Sequence, residues 1–272
     1  MEDLTGASAN FAKLCEIVAK LRAPGGCPWD REQTNDSLLP GLIEEAYEVA
    51  GAVRAGDDEN LREELGDLIL LAVMHSEVAR EEGRFDIEGV LGDVTAKLIR
   101  RHPHVFGSSA VRDTDGVIKQ WEAIKHDEKG GDDHYLASLP AALPALMRAQ
   151  KAQKKVARVN FDWTELSDVV DKVDEELLET KEAIASGNPE AVADEIGDLL
   201  FAVVNLARKS KLDAETALQQ ATDKFVSRFN RLEDQLRRQG KRLGDVELEE
   251  LDAIWNAIKQ TPNAQRPTPN LE

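Results

Sequence analysis

The amino-acid sequence contains an internal repeat, so the second half has to fold on the same plan as the first. A shift of 131 residues places 44–53 on 175–184 and 61–70 on 192–201 without a gap. Across this alignment, residues of the first half that meet an identical residue are Glu44, Glu45, Glu48, Gly56, Glu59, Glu64, Gly66, Asp67 and Leu68. We therefore expect two homologous domains, which we call the first half and the second half.

The match continues, with small gaps, toward the end of each half. KLIRR at 97–101 meets KFVSR at 224–228, and WEAIK at 121–125 meets WNAIK at 255–259. The boundary between the halves then falls in the stretch rich in glycine and aspartate near 127–135. We predict domains and connecting segments at 1–130 (first domain), 131–147 (linker), 148–260 (second domain) and 261–272 (disordered tail).

Apolar residues recur at helical spacing along most of the chain, and the alternating pattern of half-buried strands is missing. The interruptions are short and contain glycine, proline, asparagine or aspartate, as in APGGCPWD at 23–30 and SGNPE at 186–190. This pattern predicts an all-α protein of roughly ten helices, arranged as two homologous helical-bundle domains. The run LLFAVV at 199–204 has the composition of a buried helix.

The composition excludes several classes of function. A net charge of −18 argues against nucleic-acid binding, because proteins that bind phosphate backbones present basic surfaces. No stretch approaches the roughly 18 apolar residues that span a bilayer, and the N-terminus does not resemble a signal peptide. The two cysteines, Cys15 and Cys27, have no metal-binding or redox spacing. We expect a cytoplasmic protein that contacts neither membranes nor nucleic acid.

Carboxylates are concentrated at the start of the apolar segments of both halves. In a helix, Glu176 and Glu179 are i,i+3 neighbours, Glu175 and Glu179 are i,i+4 neighbours, and Glu195 and Asp198 repeat the i,i+3 spacing. A short glycine-containing turn makes the two helices antiparallel, which can bring the acidic pairs together. Like charges at these spacings destabilise a helix by about 0.2–0.5 kcal/mol per pair, and a hard divalent cation removes that cost. All-oxygen ligands favour Mg²⁺, or Mn²⁺, over zinc or copper.

Other interpretations of these residues remain open. Acidic residues on helices are commonly solvated, and Lys224 and Arg228 fit surface ion pairs as well as a phosphate site. Trp121 and Trp255 fit a hydrophobic core. A di-iron carboxylate bundle also uses inward glutamates, but it requires Glu-x-x-His motifs that neither half contains. A helical adaptor protein explains the acidic surface but not the duplicated acidic pairs.

Glycine inside each acidic helix supports the metal-site interpretation. Gly66 and Gly197 interrupt segments that are otherwise helical, where glycine costs about 1 kcal/mol relative to alanine. They indicate either close helix packing or room for a ligand. The chain has no phosphate-binding GxxxxGK[ST] loop, no GxSxG and no HExxH, so the common nucleotide-binding and hydrolase sites that depend on these motifs are not indicated.

The motif EExxE followed by ExxD resembles the signature of the all-α nucleoside triphosphate pyrophosphohydrolases. The tandem arrangement, with GCPWD at 26–30, RRHPHVF at 100–106 and LPALMRAQKAQKKVARVNFDW at 143–163, is similar to the MazG family. The resemblance covers nearly the whole chain apart from the tail. It implies Mg²⁺-dependent hydrolysis of a nucleoside triphosphate to the monophosphate and pyrophosphate, by a homodimer of helical bundles.

The resemblance also assigns residues. It makes Glu176, Glu179, Glu195 and Asp198 metal ligands and catalytic residues, with Glu175 adjoining, and it places Lys224, Arg228, Trp255 and Lys259 near the nucleotide. Lys172, one turn before Glu176, is a further candidate for phosphate. The equivalents in the first half are Glu45, Glu48, Glu64, Asp67, Lys97, Arg101, Trp121 and Lys125.

In this family the second domain is taken as the active one, whereas the sequence of the first half keeps the acids. Pro103 ends the helix just after Arg101, where the second half runs on. The sequence leaves open which nucleotide is preferred, whether the first half is also active, and how many metal ions each site holds.

Overall fold

The computed structural model describes residues 4–128 and 134–260, and every regular element in those ranges is an α-helix. This confirms the predicted all-α fold. The predicted tail at 261–272 and residues 131–133 of the predicted linker lie outside the described residues. No helix in the described ranges has the length and apolar character needed to cross a membrane.

The chain divides near residue 132 into two compact units. The helices of the first unit are α1 (Thr5–Arg22), α2 (Pro28–Glu32), α3 (Asn35–Ala55), α4 (Asp58–Glu81), α5 (Ile87–Arg101), α6 (Pro103–Phe106) and α7 (Thr114–Asp127). Helix α4 packs against α3 along most of its length and also contacts α1 and α5. Helix α5 in turn contacts α7.

The second unit is built on the same plan. Its helices are α8 (Ala145–Ala157), α9 (Leu166–Ser186), α10 (Pro189–Lys209), α11 (Ala214–Arg238) and α12 (Leu248–Gln260). Helices α9 and α10 form the closest pair, as α3 and α4 do in the first unit. Helix α8 packs on α10 and α11, and α11 packs on α12.

The turn between the paired helices is the same in both units. Gly56 and Gly187 end the first helix of each pair with φ of 67° and 70°, a left-handed conformation that glycine adopts without strain. The next residue caps the following helix, since Asp57 accepts from the Asn60 amide and Asn188 accepts from the Glu190 amide. This turn makes the helices antiparallel, as the sequence predicted.

The expectation that 199–204 is a buried helical run is only partly correct. Ala202 and Val204 are buried, but Leu200, Phe201 and Val203 are each about half exposed. Helix α10 packs mainly against α9, with smaller contacts to α8 and α11, and these neighbours leave Leu200, Phe201 and Val203 exposed in the described chain. Residues 199–204 therefore carry apolar side chains on faces of α10 that the described helices leave uncovered.

Candidate active site

Helices α9 and α10 bring three of the predicted acids together. Carboxylate oxygens of Glu176, Glu179 and Glu195 all lie within 4.8 Å of one another. Glu176 is buried, Glu195 is half-buried and Glu179 is exposed. The Oε2 atom of Glu176 is buried and has no hydrogen-bond partner among the described residues. A buried carboxylate oxygen without a partner is costly, so this arrangement favours a bound cation.

Lys172 lies beside this cluster and contacts two of its acids. Its Nζ is 2.7 Å from Oε1 of Glu176 and 2.8 Å from Oε1 of Glu175. These carboxylates raise the pKa of Lys172, because hydrogen bonds to them favour the charged ammonium. Glu175 is exposed and is held toward Lys172, outside the cluster of three.

Thr180 connects the two acidic helices and was not among the residues predicted from the sequence. Its side chain is buried, and its hydroxyl donates to the backbone carbonyl of Glu176 at 2.7 Å. The same hydroxyl lies 3.4 Å from the carbonyl oxygen of Glu195 on α10. The signal available in the sequence was a hydroxyl residue one helical turn after Glu176, on the face that meets the next helix.

Asp198 lies outside the cluster of three but acts on it electrostatically. The pKa of Glu195 is raised, first by burial and then by the negative charges of its neighbours, among them Glu179 and Asp198. The predicted fourth ligand is therefore near enough for its charge to be felt by Glu195. Its carboxylate is exposed.

The first half contains a matching cluster. Carboxylate oxygens of Glu45, Glu48 and Glu64 lie within 4.8 Å of one another, and Oε2 of Glu45 is buried without a partner among the described residues. Burial, followed by the charges of Glu48 and Asp67, raises the pKa of Glu45 to about 7. The pKa of Glu64 is raised as well, with burial the largest cause. Like charge is thus concentrated in both halves at equivalent positions.

Both clusters fit a hard divalent cation. Oxygen ligands of Mg²⁺ lie about 2.0–2.1 Å from the ion, so two ligands on opposite sides are about 4.2 Å apart. The 4.8 Å limit on the oxygen separations is close to this spacing, and every donor is a carboxylate. Neither cluster contains the histidine or cysteine that zinc and copper sites favour.

The two glycines of the acidic helices, Gly66 and Gly197, do not serve close packing against any part of the chain that the structure describes. A Cβ atom built on Gly66 or Gly197 would have no heavy atom within 4 Å among the described residues. Of the two explanations that the sequence allowed, the structure excludes tight packing inside each unit. The open space beside Gly66 and Gly197 is consistent with room for a ligand.

The predicted nucleotide-contacting residues of the second half lie on α11 and α12. The Trp255 ring is 5.2 Å from the Phe225 ring, and Lys259 Nζ lies 5.7 Å above Trp255. Trp255 also packs on the core formed by Leu232, Leu236, Ile254 and Ile258. Trp255 therefore packs against the core and also lies beneath the ammonium group of Lys259.

Lys224 and Arg228 lie one turn apart on α11. Lys224 is exposed and Arg228 is half-buried. Among the residues that the structure describes, neither side chain forms an ion pair or hydrogen bond. The alternative explanation, that Lys224 and Arg228 form surface ion pairs, is therefore not supported within the described chain.

In the first half, by contrast, the arginine that corresponds to Arg228 forms an ion pair. Arg101 donates to Glu128, with its Nε 3.1 Å from Oε2, and Arg100 Nε lies 2.6 Å from Oε1 of the same carboxylate. The Trp121 ring is flanked by Arg101 at 5.2 Å and by Lys125 at 5.1 Å. Lys97 is exposed. Glu128 was not predicted from the sequence, because it lies 27 residues from Arg101.

Comparison with known proteins gives consistent matches. The MazG nucleotide pyrophosphohydrolase domain matches residues 33–106 and 165–232. A Thermotoga maritima protein named nucleoside triphosphate pyrophosphohydrolase/pyrophosphatase MazG is 44% identical over 250 residues, covering 92% of this chain and 95% of its own. The nucleoside triphosphate pyrophosphohydrolase of Escherichia coli K12 is 43% identical over 255 residues, covering 91% and 96%. Each matched domain segment contains one of the two acidic clusters.

Among solved structures, a crystal structure of a mazG-related protein from Thermotoga maritima is 34% identical to this chain. The alignment covers 42% of this chain and 97% of that one, with a TM-score of 0.37.

Proposed function

The chain belongs to the MazG nucleotide pyrophosphohydrolase family, and we propose that it hydrolyses nucleoside or deoxynucleoside triphosphates to the monophosphate and pyrophosphate with Mg²⁺. The observation that carries the proposal is the cluster of Glu176, Glu179 and Glu195, with its buried and unpartnered carboxylate oxygen. Family membership supports the reaction, and the all-carboxylate donor set supports Mg²⁺, with Mn²⁺ as a substitute.

In this proposal Glu176, Glu179, Glu195 and Asp198 hold the metal in the second half. Glu45, Glu48, Glu64 and Asp67 form the equivalent set in the first half. When bound, such an ion would neutralise charge on the phosphate oxygens and lower the pKa of a coordinated water. The contribution of the protein is to keep the carboxylates close together despite their mutual repulsion, and Thr180 supports this by joining α9 to α10.

The basic residues take the remaining charge of the triphosphate. We propose that Lys224 and Arg228 bind phosphate oxygens, since both are cationic and neither is paired within the described chain. Lys172 joins them from α9, with Glu175 holding its ammonium at the edge of the cluster. Trp255 and Lys259 lie near the nucleotide and contribute an aromatic face and a further cation.

In the proposed reaction, a water molecule attacks the α-phosphorus of the triphosphate. A bond forms between the water oxygen and the α-phosphorus, and the bond from that phosphorus to the bridging oxygen breaks. The water protons pass to solvent and to the carboxylates, and pyrophosphate leaves with the bond electrons. Positioning and charge neutralisation are the main requirements of phosphoryl chemistry, and both are within reach of these residue types.

We further propose that the chain works as a homodimer in the cytoplasm, in nucleotide-pool housekeeping. Exposed apolar side chains flank the acidic cluster on α10, including Ile196, Leu200 and Phe201. A second copy of the chain would bury them. Molecular mass in solution, measured by light scattering, tests the dimer.

The decisive experiment separates the phosphate products. Purified protein is incubated with a panel of triphosphates and Mg²⁺, and pyrophosphate, orthophosphate and the nucleotide products are quantified separately. We expect monophosphate and pyrophosphate in equal amounts and no diphosphate. Orthophosphate release with accumulation of diphosphate would overturn the proposed reaction. No product in the presence of either Mg²⁺ or Mn²⁺ would overturn the enzyme assignment.

A further inference from the structure

A carboxylate is held by two arginines at the end of the first half. Glu128 accepts from Nε of Arg100 at 2.6 Å and from Nη2 of Arg101 at 2.5 Å. The side chains of Arg101 and Glu128 are 15% and 19% exposed, whereas the side chain of Arg100 is 53% exposed. The two guanidinium groups lower the pKa of Glu128 to about 2, and the carboxylate is therefore ionised at neutral pH.

The second half has the same basic framework without the acid. The repeat pairs Arg101 with Arg228, Trp121 with Trp255 and Lys125 with Lys259. In both halves the lysine lies over the tryptophan ring, at 5.1 Å and 5.7 Å. Arg228, however, has no carboxylate partner within the part of the chain that the structure describes.

The first half has one more cationic side chain beside Arg101 than the second half has beside Arg228. Arg100 corresponds to Ser227 in the alignment of 97–101 with 224–228. The site of the first half therefore has two adjacent guanidinium groups, and the Glu128 carboxylate engages both. Arginine forks bind carboxylate and phosphate with the same bidentate geometry, so a phosphate group fits where this carboxylate lies.

We propose that Arg100, Arg101, Trp121 and Lys125 form a second anion-binding site, selective for phosphate groups, which the Glu128 carboxylate closes from within the same half. A phosphate-bearing ligand has to displace Glu128 in order to bind. The proposal predicts weaker phosphate binding in the first half than in the second, where Arg228 has no carboxylate partner among the described residues. The choice of ligand class rests on the proposed function, in which Arg228 binds phosphate.

Binding of inorganic tripolyphosphate in EDTA, measured by calorimetry on the full chain, tests the closed site. All variants compared carry Lys224→Ala and Arg228→Ala, so that binding by the second half is weakened to the same extent in each. Adding Glu128→Gln should tighten binding by about tenfold, which corresponds to about 1.4 kcal/mol. Adding Arg101→Ala to that variant should remove the gain.

Glu82→Gln is the matched control, because Glu82 is an ion-paired glutamate of the same half and the charge change is identical. No gain from Glu128→Gln in a protein with unchanged helical circular dichroism would overturn the proposal. An equal gain from Glu82→Gln, or a gain that persists without Arg101, would overturn it as well. Should Glu128→Gln unfold, Glu128→Asp tests the same point, since its shorter side chain cannot reach both arginines.

The comparison of tripolyphosphate affinities does not depend on whether the protein hydrolyses nucleotides. Hydrolysis is measured on the wild-type chain, and its absence would overturn the proposed function while leaving the tripolyphosphate comparison interpretable.

Discussion

The ammonium group of Lys172 lies 2.7 Å from Oε1 of Glu176, the most buried acid of the second-half cluster. The repeat places Gly41 at the corresponding position of the first half, so that position carries no positive charge. Lys172 therefore supplies, within the chain, part of the positive charge that the acidic cluster needs. This is one difference between two clusters whose carboxylates otherwise correspond residue by residue.

Lys172→Ala should destabilise the metal-free protein by about 1 kcal/mol, because a buried carboxylate loses its partner while Lys172 itself is partly solvated. The same substitution should strengthen binding of Mn²⁺ in the absence of nucleotide, since a cation that repels the metal is removed. Urea unfolding in EDTA and metal titration measure the two effects. Lys181→Ala, at an exposed lysine of the same helix, is the control and should change neither.

The reciprocal substitution, Gly41→Lys, adds the missing cation to the first half. A Cβ at Gly41 would meet only Leu71 Cδ1, at an ordinary contact distance of 3.9 Å. We expect weaker Mn²⁺ binding to the first-half cluster, measured in a chain whose second-half ligands are removed by Glu176→Gln and Glu179→Gln. If the affinity for Mn²⁺ is unchanged both by Lys172→Ala and by Gly41→Lys, Lys172 does not compete with the metal.

The pKa of Glu45, raised to about 7, makes the stability of the metal-free protein depend on pH. A carboxyl group whose pKa is higher in the folded state binds its proton more tightly there than in the unfolded chain. Its contribution to stability is complete below the unfolded value near 4.5 and is lost as pH rises to about 7. In EDTA, the midpoint temperature of thermal unfolding should therefore decrease as the pH is raised from 5 to 8.

Glu45→Gln should flatten this pH dependence, because the substituted amide does not titrate. Glu59→Gln, at an exposed acid of α4, serves as the control and should keep the slope of the wild type. A slope that is the same with and without Glu45 would assign the pH dependence to other groups.

Much of this arrangement was predictable because it depends on short sequence separations. The repeat and the helical period place Glu176 beside Glu179, and Gly187 fixes the turn that returns α10 along α9. The all-α fold follows from the same periodicity.

Other features could not be predicted because they depend on distances between elements or on surfaces that one chain does not cover. Arg101 meets Glu128 through the packing of α5 against α7, which a motif of neighbouring residues does not encode. Asp198 lies one helical turn from Glu195 and yet outside the group of oxygens within 4.8 Å. The exposure of Phe201 was missed because an apolar composition does not tell which face another helix covers.

Asp198→Asn should abolish hydrolysis and leave the metal-free protein as stable as the wild type, or slightly more stable. The negative charge of Asp198 raises the pKa of Glu195, so its removal relieves repulsion in the cluster. Steady-state turnover and thermal unfolding in EDTA measure the two properties. Asp194→Asn is the matched control, since Asp194 also lies close enough to affect Glu195 but is not a proposed ligand. A marked loss of stability with near-normal turnover would assign Asp198 to structure.

Removing the acids of one half at a time decides which half hydrolyses the nucleotide. Glu176→Gln with Glu179→Gln should lose nearly all activity, because these residues belong to the half in which Arg228 is unpaired and Lys172 is present. Glu45→Gln with Glu48→Gln should lose much less. Both double variants remove the same two charges from equivalent positions, so each is the matched control of the other.

The first half would then serve assembly or a secondary, regulatory phosphate site. Its helix α5 ends at Arg101 just before Pro103, whereas α11 continues past Arg228 to Arg238, so its basic residues are presented on a shorter helix. Equal losses from the two double variants would mean that both halves are active. A loss confined to the Glu45 and Glu48 pair would place hydrolysis in the first half, where Glu128 would then have to leave Arg101 during turnover.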